Sequence, residues 1–243
     1  MTRILLVDEA VGLSELFAIA LRDELDAAVD VVGGPEAAGA VAAAARPHVA
    51  VVDDHFPVGG SSCIDALVAV TDRSPETRLV VLTRGGDDVV PAVRDAWELL
   101  PVVAVLSRSR SVEDLVAAIR VVLDGGEGVV DEPLRAVLPD RRPPWRTVER
   151  FRLLVQHLGH AKLWSALLDP AVDVAYQAVA RQCGLAVNTI KNYRAQLLPE
   201  LSVHGLDDPS LREMQAFARR CRVLLQPWVD ERLGQSGEPS AST

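Results

Sequence analysis

Lysine is nearly missing from this 243-residue chain: Lys162 and Lys191 are the only two among 25 basic residues, so arginine carries almost all the positive charge. Aromatic residues are also scarce, at 4%, which leaves aliphatic side chains to build any core. The three cysteines, Cys63, Cys183 and Cys221, are odd in number, widely spaced and outside any CxxC or His-rich setting. That pattern argues against a disulfide framework or a zinc site and fits a reducing cytoplasm. No apolar run approaches the roughly 18 residues that a membrane span needs. The N-terminus meets Asp8-Glu9 almost at once, where a secretory signal would hold a long apolar core. What is present is a globular balance of 49% hydrophobic and 24% charged residues, which excludes a wholly disordered chain.

The net charge of −9 hides a division. Residues 1–140 hold 11 arginines, no lysine and 24 carboxylates, whereas residues 141–243 hold 14 basic and 10 acidic side chains. A polyanion is repelled by the first part and tolerated by the second. Between them Leu138-Pro139-Asp140-Arg141-Arg142-Pro143-Pro144 reads as an exposed linker, so that residues 125–143 join two domains. Residues 234–243 lack an apolar face and read as a disordered tail.

Within residues 1–124, short Val-rich runs at Ile4–Val7, Val29–Val32, Val49–Val52, Leu79–Leu82 and Val102–Leu106 alternate with helically spaced segments. The latter are Leu13–Leu25, Glu36–Ala45, Ser62–Asp72, Val89–Leu99 and Val112–Leu123. Five apolar strands, each followed by a helix, predict an α/β doubly wound five-stranded parallel sheet covered on both faces. Ligands of such sheets bind past the carboxyl ends of the strands. There the chain places Asp8-Glu9, Asp53-Asp54 and Thr83. Converging carboxylates repel one another and remain ionised together only with a compensating cation, and oxygen-only ligands suit Mg²⁺. Acidic residues that simply cap the following helices are the plainer reading for any one pair.

In that order, Ile4-Leu5-Leu6-Val7-Asp8-Glu9, Val51-Val52-Asp53-Asp54-His55-Phe56-Pro57 and Val80-Val81-Leu82-Thr83 resemble the receiver domain of two-component response regulators. The resemblance implies a flavodoxin-like fold and a phosphoacceptor at Asp53, chosen over Asp54 by the position of Pro57. It implies a Mg²⁺ site formed by Asp8, Glu9, Asp53 and the backbone carbonyl of His55, and phosphoryl transfer from a sensor histidine kinase. Thr83 would be the switch hydroxyl. The family's lysine, seven residues before Leu115, is here Arg108, and its strand-five aromatic is Val105. Arginine pairs with phosphate, but its planar fork is not equivalent to an ammonium.

Past the linker, Trp145, Val148, Phe151, Leu154, Val155 and Leu158 recur at helical spacing and predict an amphipathic helix ending near Gly159. In the segment from Tyr176 to Tyr193, Ala180 permits two helices to approach closely and Gly184 supplies the turn between them. Val179, Leu185, Ile190 and Tyr193 point to a small shared core. This predicts an all-α helix-turn-helix domain over residues 144–233. From Val179 to about Arg220 the chain resembles the LuxR/FixJ-type (NarL-like) output domain. By that resemblance Lys191, Asn192 and Ala195 face base edges, while Asn188, Thr189 and Arg194 contact phosphates; Asn188 and Thr189 could equally cap their helix. The Arg219-Arg220-Arg222 cluster is either a phosphate patch or a solvated helix end.

The sequence therefore reads as a cytoplasmic, non-enzymatic response regulator that binds DNA as a homodimer, controls transcription and takes phosphate at Asp53. The alternatives are a regulator of the same architecture that works without phosphorylation, and an adaptor whose helical output binds protein. A hydrolase built on the carboxylate cluster is disfavoured, because no base–nucleophile pairing accompanies it.

Overall fold

The computed structural model describes residues 1–56, 62–87, 89–140 and 142–235. The chain forms two compact units, 1–142 and 143–243. Pro57 and residues 236–243 of the expected tail lie outside the described residues.

In the first unit the strands are β1 (Thr2–Val7), β2 (Ala27–Val32), β3 (Val49–Asp53), β4 (Arg78–Thr83) and β5 (Val102–Ser107). The helices between and after them are α1 (Val11–Leu25), α2 (Pro35–Ala45), α3 (Cys63–Arg73), α4 (Val90–Leu99) and α5 (Val112–Leu123). Each expected strand and helix is present, with ends moved by one or two residues. The period of two explains the layering. Ile4, Leu6, Val49, Val51, Val80, Leu82, Ala104 and Leu106 form one core with Ala18 and Leu21 of α1 and Leu115, Val116, Ile119 and Val122 of α5. The alternate residues Leu5, Val7, Ala50, Val52, Leu79 and Val81 are equally buried and meet the side covered by α2, α3 and α4. A sheet buried on both faces needs the near-continuous apolar strands found here.

Among the described residues the sheet has six strands, not five, in the order β2-β1-β3-β4-β5-β6, all parallel. β6 (Val129–Val130) and the single-turn α6 (Glu132–Arg135) come from the segment expected to be a linker. Asp131 explains why that segment docks. Its buried carboxylate accepts the backbone N–H of Ser107 at 2.6 Å and Arg110 Nε at 2.7 Å. Leu134 and Leu138, one helical turn apart, are buried, and Trp97 Nε1 donates to the Pro139 carbonyl at 3.1 Å.

Among the described residues the second unit is all helical, as expected. It contains a short 3₁₀ turn (Val148–Leu154) and the helices α7 (Leu158–Leu168), α8 (Tyr176–Cys183), α9 (Val187–Val203), α10 (Leu211–Arg220) and α11 (Arg222–Gly234). The single helix expected from Trp145 to Leu158 is corrected by two features. Only Val148, Phe151 and Leu154 of its apolar residues fall in the 3₁₀ turn, and His157 begins a new helix, its Nδ1 accepting the N–H groups of Gly159 and His160. Gly159 does not end a helix. It sits in the first turn of α7 against the Tyr193 ring, where a Cβ would fall 2.3 Å from the phenolic oxygen. Phe151, Trp164 and Phe217 form the aromatic centre of the core, whereas Trp145 is exposed.

Candidate functional site

Two places gather the residues singled out by sequence: the carboxyl edge of the sheet in the first unit, and the α8–α9 pair in the second.

At the sheet edge, strand register decides which side chains meet. Val7 lies beside Val52, Asp53 beside Leu82, and Thr83 beside Ser107. Asp8, Asp53-Asp54, Thr83 and Arg108 therefore converge, each at or just past the end of its strand. Asp8, Asp53, Asp54 and Thr83 are buried, while Glu9 and His55 are half-buried. Arg108 is held at its backbone by a 2.8 Å N–H bond to the Thr83 carbonyl. Its guanidinium then spans two carboxylates, with Nη2 on Asp8 Oδ2 at 2.5 Å and Nη1 on Asp53 Oδ2 at 2.8 Å. Asp8 also accepts the Ser14 hydroxyl on Oδ2 at 2.6 Å and the Ala10 N–H on Oδ1 at 2.8 Å. Asp53 Oδ1 takes the Asp54 N–H at 3.0 Å.

Thr83 behaves differently from the expectation drawn from the resemblance. Since Asp53 pairs with Leu82, Thr83 falls one step further, level with Asp54. Its hydroxyl donates its one hydrogen bond to Asp54 Oδ2, which also accepts the Arg84 N–H at 3.1 Å. Among the described residues, Asp54 Oδ1 is buried without a hydrogen-bond partner.

Burial and hydrogen bonding separate the two bridged carboxyls. Burial raises Asp8, but the hydrogen bonds from Ser14 and Ala10 and the charge of Arg108 outweigh it and hold the group below its ordinary value. For Asp53 burial dominates. The pull of Arg108 is opposed by the charges of Asp8 and Asp54, and its pKa is pushed up to about 7.

The expected ligand set of Asp8, Glu9, Asp53 and His55 does not suit a hard divalent ion in this arrangement. Mg²⁺ demands near-octahedral oxygen donors. The facing oxygens of Asp8 and Asp53 are already occupied by one guanidinium.

In the second unit, α8 ends at Gly184, whose left-handed φ of 65° lets the N–H groups of Gly184 and Leu185 return to the carbonyls of Arg181 and Ala180. Val179, Ala180 and Ile190 are buried between the helices, and Leu185 and Tyr193 are half-buried. Nothing lies within 4 Å of a Cβ added at Gly184, so Gly184→Ala tests backbone strain alone. It is expected to cost about 1–2 kcal/mol, measured as a lower urea midpoint at unchanged slope.

The opposite face of α9 is open. Asn188, Lys191, Asn192 and Ala195 are all exposed, at the three- and four-residue steps that make one stripe. Asn188 and Thr189 do not cap the helix. The capping residue is Ala186, which supplies no side-chain bond. Lys191 Nζ sits 5.7 Å from the Tyr176 ring centroid. Arg194 leaves the stripe: its Nε donates to the Pro209 carbonyl at 2.6 Å, and its guanidinium pairs with Asp208. In the arginine cluster, Arg222 donates to the Leu168 carbonyl at 2.8 Å and Arg220 lies over Phe217, so both serve the fold. No helix among the described residues is long and apolar enough to cross a membrane.

No family model matches the chain, and no curated protein matches it. Among solved structures, the isolated receiver domain of RcsB from Salmonella enterica serovar Typhimurium, in the presence of phosphomimetic BeF3−, is similar at 15% identity and a TM-score of 0.46. That match covers 57% of this chain and 99% of the other. RcsB from the same organism bound to promoter rprA is similar at 13% identity and a TM-score of 0.45, covering 88% and 98% of the two chains. A two-component response regulator of the LuxR family from Aurantimonas sp. SI85-9A1 is similar at 21% identity and a TM-score of 0.47, covering 56% and 94%.

Proposed function

We propose that this protein is a DNA-binding response regulator, in which the α/β unit is a receiver-type sensory module and the helical unit reads DNA to control transcription. The observation that carries the reading is the exposed stripe of Asn188, Lys191, Asn192 and Ala195 on a helix packed through Val179, Ala180 and Ile190 against its predecessor across a glycine turn. A second helix so mounted enters the major groove with its outer face toward base edges. Lysine suits guanine and asparagine suits adenine. Sites for such modules have two-fold symmetry, so the acting species is a homodimer on DNA.

The sensory step has two readings. In the first, a histidine kinase phosphorylates Asp53 and Mg²⁺ assists. In the second, the receiver-type unit works without phosphorylation, and the geometry favours this one. Arg108 already occupies the facing oxygens of Asp8 and Asp53, and the Thr83 hydroxyl already donates its hydrogen bond to Asp54.

The deciding experiment is selection of a preferred site from random DNA, followed by binding isotherms of the full chain at several salt concentrations. A DNA-reading protein gives a preferred sequence and an affinity that falls linearly on a log–log salt plot, because each phosphate contact releases counterions. Absence of binding to any DNA overturns the proposal and leaves the protein-binding adaptor in its place.

A further inference from the structure

We propose that Arg108 is a resident cation that stands where a divalent metal would bridge Asp8 and Asp53, so that the free protein has no Mg²⁺ affinity at this edge and acquires it when the guanidinium is removed. This goes beyond the DNA-binding reading and does not depend on it.

Four observations carry it. The guanidinium reaches both carboxylates at once, at 2.5 and 2.8 Å, with a different nitrogen on each. A planar fork can span two carboxylates in this way, whereas a single ammonium acts as a point charge. Arg108 is not a loose arm that happens to fold inward: it directly follows β5, and its own N–H is tied to the Thr83 carbonyl. The carboxylates are held for it from behind. Ser14 Oγ and the Ala10 N–H fix both oxygens of Asp8, and the Asp54 N–H fixes Asp53 Oδ1, leaving Asp53 Oδ2 and one direction of Asp8 Oδ2 for the cation. Finally, the side chain that would respond to an incoming group, Thr83, is bound to the neighbouring Asp54.

A metal and this guanidinium need the same oxygens, so they compete. A cation tethered one residue past β5 is present at very high effective concentration compared with a free ion. No lysine occurs in residues 1–142 that could replace it.

The test is Mn²⁺ binding to the full chain, followed by electron paramagnetic resonance, with Mg²⁺ calorimetry in parallel. The parent, Arg108→Gln, Arg108→Ala and the double variant Arg108→Gln with Asp53→Asn are compared. Both single variants should gain one saturable site about tenfold or more tighter than any site of the parent, in keeping with the loss of a competing charge at hydrogen-bond distance. The double variant should lose that gain, which places the ion at the strand edge and not elsewhere on an acidic surface. Hydrogen exchange of β1 and β3 checks that the edge is intact, and two variants are used so that failure of one to fold does not remove the test. A parent that binds Mn²⁺ at this edge as tightly as Arg108→Gln overturns the proposal. So does a folded Arg108→Gln or Arg108→Ala protein that gains no site.

Discussion

Trp164→Ala should destabilise the C-terminal unit by about 3–5 kcal/mol, the usual cost of emptying a large aromatic site in a packed core. The Trp164 side chain is fully buried, its Nε1 donates to the Leu154 carbonyl at 2.7 Å, and its ring lies 6.3 Å from that of Phe217. The substitution thus removes both the volume between α7 and α10 and the bond that ties α7 to the 3₁₀ turn. The measurement is hydrogen exchange by mass spectrometry on the full chain under native conditions. Peptides from α7, α8 and α9 should exchange faster, while peptides from β1, β3 and β4 keep their protection, because the two compact units have separate cores. Unchanged protection in α7–α9 would show that the core of this unit lies elsewhere.

The second large effect concerns recognition. Lys191→Ala and Asn192→Ala should each weaken binding to the preferred DNA site by about 1–3 kcal/mol and relax sequence preference at the base pair contacted. Both side chains are exposed, and Lys191 is partly ordered beforehand by the Tyr176 ring. Arg194→Ala should behave differently. Since Arg194 is spent on Asp208 and Pro209, its removal should loosen the turn before α10 and lower stability while leaving sequence preference intact. Competition binding against single-base variants of the site separates these outcomes. If the preferred site is bound equally by all three variants and the parent, α9 does not read bases.

The first unit was legible because its strands are buried on both faces and read as uninterrupted apolar runs, with helical periodicity between them. β6 was not, since two residues such as Val129-Val130 show no period at all. The four-residue spacing of Leu134 and Leu138 signals the helical turn that follows, not the strand. The break at residues 155–157 was hidden because Phe151, Leu154, Val155 and Leu158 suit one helical face equally well. The element that overrides them, a histidine acting as helix cap, lies outside the usual Ser, Thr, Asp and Asn preference. α11 carries Pro227 in its interior, a residue that helices usually exclude, so its extent is a product of packing and not of local preference.

The candidate sites divide in the same way. Lys191, Asn192 and Ala195 came from the resemblance of the α8–α9 segment to a known output domain, and their shared exposure with Asn188 follows from the three- and four-residue steps of one helix. Arg108 was reached by counting from Leu115, yet that count says nothing of its two partners. The Thr83–Asp54 bond depends on the register between β3 and β4, a property of two paired strands that neither strand carries by itself. The partners of Arg194 are hidden for a related reason: they lie in a turn some fourteen residues further on.

A parallel sheet must end somewhere, and each end is a row of unpaired backbone groups able to recruit a strand from another molecule. The segment carrying Val129-Val130 changes what this protein exposes there. β5, with its buried Leu106 and Val105, would otherwise form a six-residue apolar margin; β6 covers its middle, at Ala104 and Val105, and is itself too short to template a further strand. The other margin, β2, carries the exposed carboxylate of Asp30 at its centre, which opposes like-charged pairing with another copy. Truncation within residues 125–142 would thus cost more than a tether: it would uncover an aggregation-prone margin at β5.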